Sequence, residues 1–145
     1  MLRRSGPYDD PVTFPLLTED QRKSLELLQG IIGRLSTNGF LLKGWAVTLV
    51  TALLTFSGAT GQERLATLAL VPTVIFWALD AYLLAREHQY RRIFNLTRQG
   101  QQDAFDFQLD ALTAETWAVS AFRPAMLVFY VPLVLVVVAV AREII

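Results

Sequence analysis

Three long apolar blocks, separated by polar and charged segments, dominate the pattern of this chain. They cover about residues 40–59, 65–84 and 124–141. Each is close to the roughly 20 residues that a helix needs to cross the hydrocarbon of a bilayer. The pattern predicts an all-α membrane protein with three transmembrane helices and amphipathic cytoplasmic helical extensions. Residues 18–145 are expected to form a single helical membrane domain.

The second block continues without a break into a basic, water-soluble segment. The stretch 68–96 contains no Gly, and its one Pro, Pro72, lies near the start, where a missing N–H costs least. We therefore predict one continuous helix that leaves the bilayer near Asp80 to Arg86. A cytoplasmic extension over about 85–98 follows and ends near Gly100, a suitable C-cap.

The segment before the first span predicts a second cytoplasmic helix. Thr18 and Gln21 have the spacing of a capping box. Apolar residues at helical spacing then predict an amphipathic helix over about 19–36, packed on the extension of the second span more readily than on lipid. Ser36 to Gly39 is expected to break this helix before the span. Residues 1–17 hold three prolines and form either a disordered tail or an arm on a neighbouring helix or subunit.

The connection over 99–123 is too rich in Phe, Leu and Trp to be a free loop. We predict a turn and a short helix from about Thr113, packed under the membrane. The third span is almost entirely Val, Leu and Ala, and Pro132 is expected to bend it. Because it lacks a polar stripe, this span is the one expected to face lipid.

The distribution of Lys and Arg predicts the orientation. The flank before the first span carries six of these residues and the flank between spans two and three carries five, while the other two flanks carry Arg64 and Arg142 alone. The positive-inside bias then places the N-terminus and the long connection in the cytoplasm and the C-terminus outside.

One face of the first span is small and hydroxyl-bearing. Its members recur three or four residues apart: Gly44, Thr48, Thr51, Thr55 and Gly58, which we call the Thr stripe. Such a stripe lets another helix approach closely. It can instead line a hydrated path, where hydroxyls replace water around an ion. Helix packing is the commoner use, and in an oligomer both uses can coexist.

Asp80 is the one carboxylate inside an apolar span, and such residues are candidates for function because an unpaired charge is costly there. It lies six residues before Arg86, or roughly 9 Å along the helix axis. Lys43, on the antiparallel first span, is expected at a similar depth. A Lys43–Asp80 ion pair is the preferred interpretation. A ring of Asp80 side chains at the inner mouth of a symmetric pore is the alternative.

A basic, aromatic patch follows on the same helix. Its members are Arg86, His88, Tyr90, Arg91, Arg92 and Arg98. Arginine pairs with phosphate through two parallel hydrogen bonds, and aromatic rings can stack on bases. Contact with anionic lipid headgroups is the commoner explanation of such residues. The alternative is a site for an anionic ligand.

Composition argues against several classes of function. Acidic and basic residues balance at 13 each, so no global field attracts nucleic acid. The absence of Cys and the single His remove thiol chemistry and a histidine-based metal centre. Prolines and acids stand where a signal peptide would have its apolar core. We find no catalytic motif, and expect no enzyme activity, cofactor or metal.

The order of these elements resembles small bacterial membrane effectors of anti-phage defence. The resemblance rests on FLLKGWAVTLVTALLTF and FWALDAYLLAREHQYRRIFN, roughly the middle half of the chain, strings typical of a family of small bacterial multi-span membrane proteins. That family resembles the defence effectors in the order of its helices and in the size of the chain. It implies a channel in the bacterial inner membrane, controlled by a nucleotide or oligonucleotide signal or by a cytoplasmic sensor protein.

Three spans cannot enclose a water-filled path alone, so a channel requires a homo-oligomer, for which a tetramer or pentamer is expected. In that interpretation the Thr stripe lines the path, and Asp80 and Lys43 set the field at its inner mouth. The arginines then bind the anionic regulator. The alternative is a non-conducting membrane scaffold that uses the same stripe to hold partner helices and recruits a cytoplasmic partner.

Overall fold

A computed structural model describes residues 17–144, and the Pro-rich segment predicted for residues 1–17 lies almost wholly outside this part. The described part consists of five helices without a strand: α1 Glu19–Thr60, α2 Glu63–Leu68, α3 Leu70–Arg98, α4 Ala114–Ala121 and α5 Pro124–Ile144. Three segments are long and apolar enough to cross a membrane, namely Glu19–Thr60, Arg64–Arg98 and Pro124–Arg142. The all-helical fold is therefore as predicted, and the three apolar segments are compatible with a multi-pass membrane protein.

Helix α1 runs for 42 residues through the predicted break. The expectation that Ser36 to Gly39 would separate a cytoplasmic helix from the first span is wrong. These residues are weak helix formers, and Gly costs about 1 kcal/mol relative to Ala inside a helix. Packing overrides that cost, because Gly39 is buried where α1 meets α3.

The second apolar segment is interrupted once, at Ala69, which separates α2 from α3. Pro72 explains the position. A proline has no N–H for the carbonyl four residues earlier, here that of Leu68, and its ring crowds that oxygen. Hydrogen bonds from Ala69 N to Leu65 O (3.2 Å) and from Thr73 N to Ala69 O (3.4 Å) carry the helical path across the interruption. The predicted continuous helix is observed from Leu70 onward.

The helix ends follow local rules. The Thr18 hydroxyl accepts from Gln21 N at 3.2 Å and the Gln21 amide oxygen accepts from Thr18 N at 3.0 Å, which completes the predicted capping box. Thr113 and Thr116 form a second capping box at the start of α4. After α3, Gly100 has φ 68°. There Gly100 N donates to Thr97 O and Gln101 N to Leu96 O, which is a Schellman motif.

Helices α1 and α3 form the main pair and run antiparallel, since Lys43 contacts Asp80 whereas Val50 clusters with Ala69. Helix α5 packs against this pair: Tyr130 joins the cluster around Ala46 and Val137 joins the one around Val50. The predicted lipid-facing span therefore has a buried side as well.

The outer surface of the bundle is apolar. Phe40, Phe56 and Leu135 are each more than 60% exposed, and Val128 is 75% exposed. A surface of this kind is a liability in water but is stable in contact with lipid tails. It agrees with the multi-pass membrane prediction.

Candidate functional site

Asp80 lies in the core of the bundle, with only 2% of its surface exposed. Lys43 Nζ binds its Oδ2 at 2.5 Å. The Tyr130 hydroxyl donates to the same oxygen at 3.2 Å. The ion pair preferred from the sequence is therefore present, and each of the three long helices contributes one member. We call Lys43, Asp80 and Tyr130 the charged triad.

A glycine makes this close approach possible. A Cβ atom added to Gly39 would stand 3.1 Å from Asp80 Oδ1. That distance is tighter than an ordinary van der Waals contact, so the carboxylate uses the space that Gly39 leaves open. Gly39 and Lys43 are one helical turn apart and thus border the same side chain on α3.

Aromatic rings enclose the tyrosine of the triad. Trp77 stacks on Tyr130 with ring centroids 5.9 Å apart, and Phe129 meets Tyr130 edge to face at 4.9 Å. The Trp77 indole N–H donates to the Ala121 carbonyl at 3.0 Å. The triad is therefore held by rings from α3 and α5 and tied to the end of α4.

A cavity of about 400 Å³ adjoins the triad between α1, α3 and the start of α5. Lys43, Asp80 and Glu87 line it. Glu87, two helical turns beyond Asp80, is bound by Arg91 at 2.7 Å, so both carboxylates beside the cavity have a cationic partner.

The Thr stripe has a different location. All five of its members are exposed, and nothing lies within 4 Å of a Cβ built on Gly44 or Gly58. At about 100° per residue the stripe is centred roughly 140° around α1 from Gly39, Val50 and Ser57, which face the interior. No other helix of the described chain covers the stripe.

The stripe and the charged triad consequently lie on different sides of α1. Within the protomer, the Lys43 charge is neutralised by Asp80, and the carboxylate does not reach the surface on which the stripe lies. The assignment of these two charges to the inner mouth of a pore stays a prediction.

The predicted basic patch divides over two sides of α3. On one side, Arg86 and Arg92 turn toward the connection, where both contact Asp110: Arg86 Nη1 donates to its carbonyl at 3.4 Å and Arg92 Nη1 to its carboxylate at 3.3 Å. Arg86 also lies 5.5 Å from the Tyr82 ring centroid. On this side His88 lies one turn before Arg92.

On the other side, Arg91 pairs with Glu87 and borders a separate cavity of about 450 Å³ with Gly33 of α1. Tyr90 is half-buried, and Arg98 is exposed in the last turn of α3. The six predicted anion-binding residues therefore do not form one surface. His88 and Arg92 are the pair that shares a cavity.

Sequence reasoning missed two residues of these sites. Tyr130 joins Asp80 across 50 positions, and Arg123 Nη1 lies 2.5 Å from His88 Nε2 across 35. A weak signal existed for Tyr130, whose hydroxyl is an isolated polar group among apolar residues. For Arg123, the sequence indicated only a charge at the membrane edge.

No protein-family model, curated protein or solved structure matches this chain. Within residues 17–144, no group of three or more acidic or histidine side chains is placed to hold a metal ion. Any functional conclusion therefore rests on the geometry of the triad, the stripe and the basic residues.

Proposed function

We propose that this chain is a homo-oligomeric membrane channel whose path is lined by the Thr stripe. The observation that carries the proposal is that a row of small and hydroxyl-bearing residues lies exposed along an apolar helix, with no helix of residues 17–144 against it. Small residues permit close contact between helices in lipid, where hydrophobic attraction between helices is absent. Copies of the chain are the partners most directly available to cover this face.

The hydroxyls of the stripe can serve an ion. Thr48 Oγ1 donates to the Gly44 carbonyl at 2.9 Å, which uses its hydrogen and leaves its oxygen free to accept. Repeated around a symmetric axis, Thr48, Thr51 and Thr55 supply three rings of acceptors. Rings of oxygen can replace part of the hydration shell of a cation.

In this proposal the charged triad is a structural lock. Lys43, Asp80 and Tyr130 hold the three spans of one protomer together, so that α1 presents the stripe as a rigid surface. Control by an anionic nucleotide or oligonucleotide on the arginines of α3, and a role in bacterial anti-phage defence, belong to the same proposal. They rest on the resemblance described above.

Two variants of α1 test the assembly. Gly44→Leu places a large side chain on the stripe and is expected to lower the oligomeric state measured by light scattering in detergent. Ala52→Leu adds a large side chain to the exposed surface beside the stripe, about 80° from its centre, and is expected to leave the oligomer unchanged. Equal loss in both variants, or a monomeric parent protein, contradicts the proposal.

Conduction is tested at the central ring by recordings in planar bilayers. Thr51→Val keeps the side-chain shape and removes the hydroxyl, so the conductance is expected to fall while the oligomer persists. Thr51→Trp is expected to occlude the path. A stable oligomer that carries no current, with or without nucleotide, contradicts the channel.

A non-conducting scaffold is the second candidate. The observation that favours it is the neutralisation of both membrane-embedded charges within the protomer, which leaves the stripe without a charge to attract ions. In this case the stripe holds helices of a partner, and Thr51→Val weakens assembly without any current to lose.

A further inference from the structure

The structure contains a second polar site, between α3 and α4, which shares His88 and Arg92 with the predicted basic patch and adds Arg123 from the corner between α4 and α5. It is a cavity of about 290 Å³, near the lower end of ligand-binding pockets at about 300 Å³. The charged or titratable residues that line it are His88, Arg92, Glu115 and Arg123. The other lining residues are uncharged: the apolar Ala85 and Val119 and the polar Gln89, Thr116 and Ser120.

Backbone contacts place Arg123 firmly at the mouth of this cavity. Its N–H donates to the Ser120 carbonyl at 3.3 Å as α4 ends, and its carbonyl accepts from Met126 N at 2.9 Å as α5 begins. The residue therefore lies at a fixed corner between two helices. Its side chain is exposed, and within the described residues no carboxylate lies within ion-pair distance of it.

His88 orients the guanidinium. Its Nδ1 lies 2.7 Å from the Leu84 carbonyl, which requires the hydrogen on Nδ1. Nε2 is then an acceptor, and Arg123 Nη1 donates to it. One of the five guanidinium N–H groups is thereby used, and the others remain for an anion.

Arg92 supplies a second cation at the same cavity. Its contact with Asp110 is 3.3 Å long between side chains 73% and 79% exposed. Exposed pairs of this kind contribute little, so the pair offers weak competition to a ligand. Glu115 is the one carboxylate in the lining, which therefore carries two positive charges against one negative.

The surroundings of the cavity are those of a membrane interface. Helix α4 is fastened to the apolar span by Trp117, whose indole N–H donates to the Ala78 carbonyl at 3.2 Å. Val119 is 57% exposed and Phe122 is 62% exposed. Tryptophan at such a position is typical of the headgroup level of a bilayer. The basic residues of the cavity therefore lie beside exposed apolar side chains.

We propose that the cavity between α3 and α4 binds the phosphate group of an anionic phospholipid, with Arg123 and Arg92 as its cationic ligands and His88 as the residue that positions Arg123. Basic pockets beside transmembrane helices recognise anionic headgroups in this way. The acyl chains would lie along Val119 and Phe122. A free nucleotide fits less well, because the only aromatic ring in the lining is the imidazole already bound at both nitrogens.

Native mass spectrometry of the purified full chain tests the site. Protein released from mixed micelles is expected to retain phosphatidylglycerol in preference to phosphatidylcholine. Arg123→Gln is expected to weaken phosphatidylglycerol binding about tenfold, since a hydrogen bond to a charged group is worth at least one decade of affinity. Arg123→Lys keeps the charge and should lose less. Arg34→Gln removes the same charge from an exposed position on α1 and is expected to have no effect.

Glu115→Gln is expected to change the affinity for phosphatidylglycerol in the opposite direction. Removal of the one carboxylate in the lining is expected to tighten phosphatidylglycerol binding severalfold. A residue with only a structural role would not produce this gain. The gain also keeps the test informative if the Arg123 variants express poorly.

Competition with inorganic phosphate and with AMP tests whether the bound phosphate group belongs to a lipid, to free phosphate or to a nucleotide. If the site takes a lipid, neither displaces phosphatidylglycerol at concentrations that leave the micelle intact. Equal retention of phosphatidylglycerol and phosphatidylcholine, an equal loss in Arg34→Gln, or binding of AMP with no lipid preference would each overturn the proposal. The test needs no current, so a failure here and a failure of the channel are separate results.

Discussion

A carboxylate in a membrane span needs partners, and Asp80 has one on each of the two neighbouring spans. Lys43 is on α1 and Tyr130 on α5. Because both bind the same oxygen, removal of the negative charge weakens two interactions at once. The triad is therefore expected to stabilise the arrangement of all three spans.

The coupling between Lys43 and Asp80 can be measured. Asp80→Asn is expected to lower the free energy of unfolding by about 2 kcal/mol, the range for hydrogen bonds to charged groups. It also leaves the Lys43 ammonium without its partner. Adding Lys43→Met should recover part of that loss, because the unpaired charge is removed. Unfolding titrations in SDS on the two single variants and the double variant give the coupling energy.

Glu87→Gln is the matched control for this cycle. It also removes a carboxylate from α3, but its partner Arg91 is 55% exposed and stays solvated when the carboxylate is lost, so a smaller loss of stability is expected than for Asp80→Asn. If the two changes have additive effects on the free energy of unfolding, the ion pair does not stabilise the bundle. Asp80 could then serve at the inner mouth of a pore.

At the scale of elements, α1 depends for its packing on Gly39, a residue with low helix propensity. Gly39 weakens the helix but provides the space that Asp80 occupies. Gly30, nine residues earlier, has nothing within 4 Å of its Cβ position and is exposed. The same substitution at the two positions therefore separates helix propensity from packing.

Gly30→Ala is expected to raise the free energy of unfolding by up to about 1 kcal/mol, the difference in helix propensity. Gly39→Ala should show no such gain, because the new methyl group displaces a carboxylate held by Lys43 and Tyr130. Unfolding titrations under the same conditions compare the two. An equal gain at both positions would mean that Asp80 moves freely, and that the triad does not fix its position.

The elements that the sequence predicted are those determined locally. The capping box at Thr18, the start of a short helix at Thr113 and the end of α3 at Gly100 depend on neighbours within five positions. The break at Ser36 to Gly39 was a wrong prediction because the residues that weaken an isolated helix also allow helices to approach closely. The contacts of Tyr130 and Arg123 were not predicted. They join residues 50 and 35 positions apart, and neither residue has an opposite charge at matched depth of the kind that indicated Lys43 as the partner of Asp80.

At the scale of the whole molecule, the two faces of α1 have separate roles. One face holds α3 through Gly39 and Lys43, and a different face, centred roughly 140° around the helix from Gly39, carries the exposed stripe. The cavity between α3 and α4 lies toward the same end of the bundle as the triad, where α3 continues beyond the apolar span. Assembly, stability and lipid contact therefore depend on different residues and can be altered one at a time.

The orientation of the molecule determines which leaflet and which solution these sites meet. Eleven of the 13 Lys and Arg residues lie before the first span or between the second and third, which predicts a cytoplasmic N-terminus. Cysteine labelling is direct because the chain contains no Cys. Gln62 in the turn after α1 and Gln101 after α3 are both exposed.

Gln62→Cys is expected to react with a membrane-impermeant maleimide in intact cells, whereas Gln101→Cys should react only after permeabilisation. Equal labelling of both variants in permeabilised cells is the control for reactivity, and it rules out burial of one thiol as the cause of a difference. The reverse pattern in intact cells would place α4 and the Arg123 cavity at the outer leaflet. The arginines of α3 would then face away from any cytoplasmic nucleotide, and control of the channel by such a ligand would fail, although the stripe could still assemble.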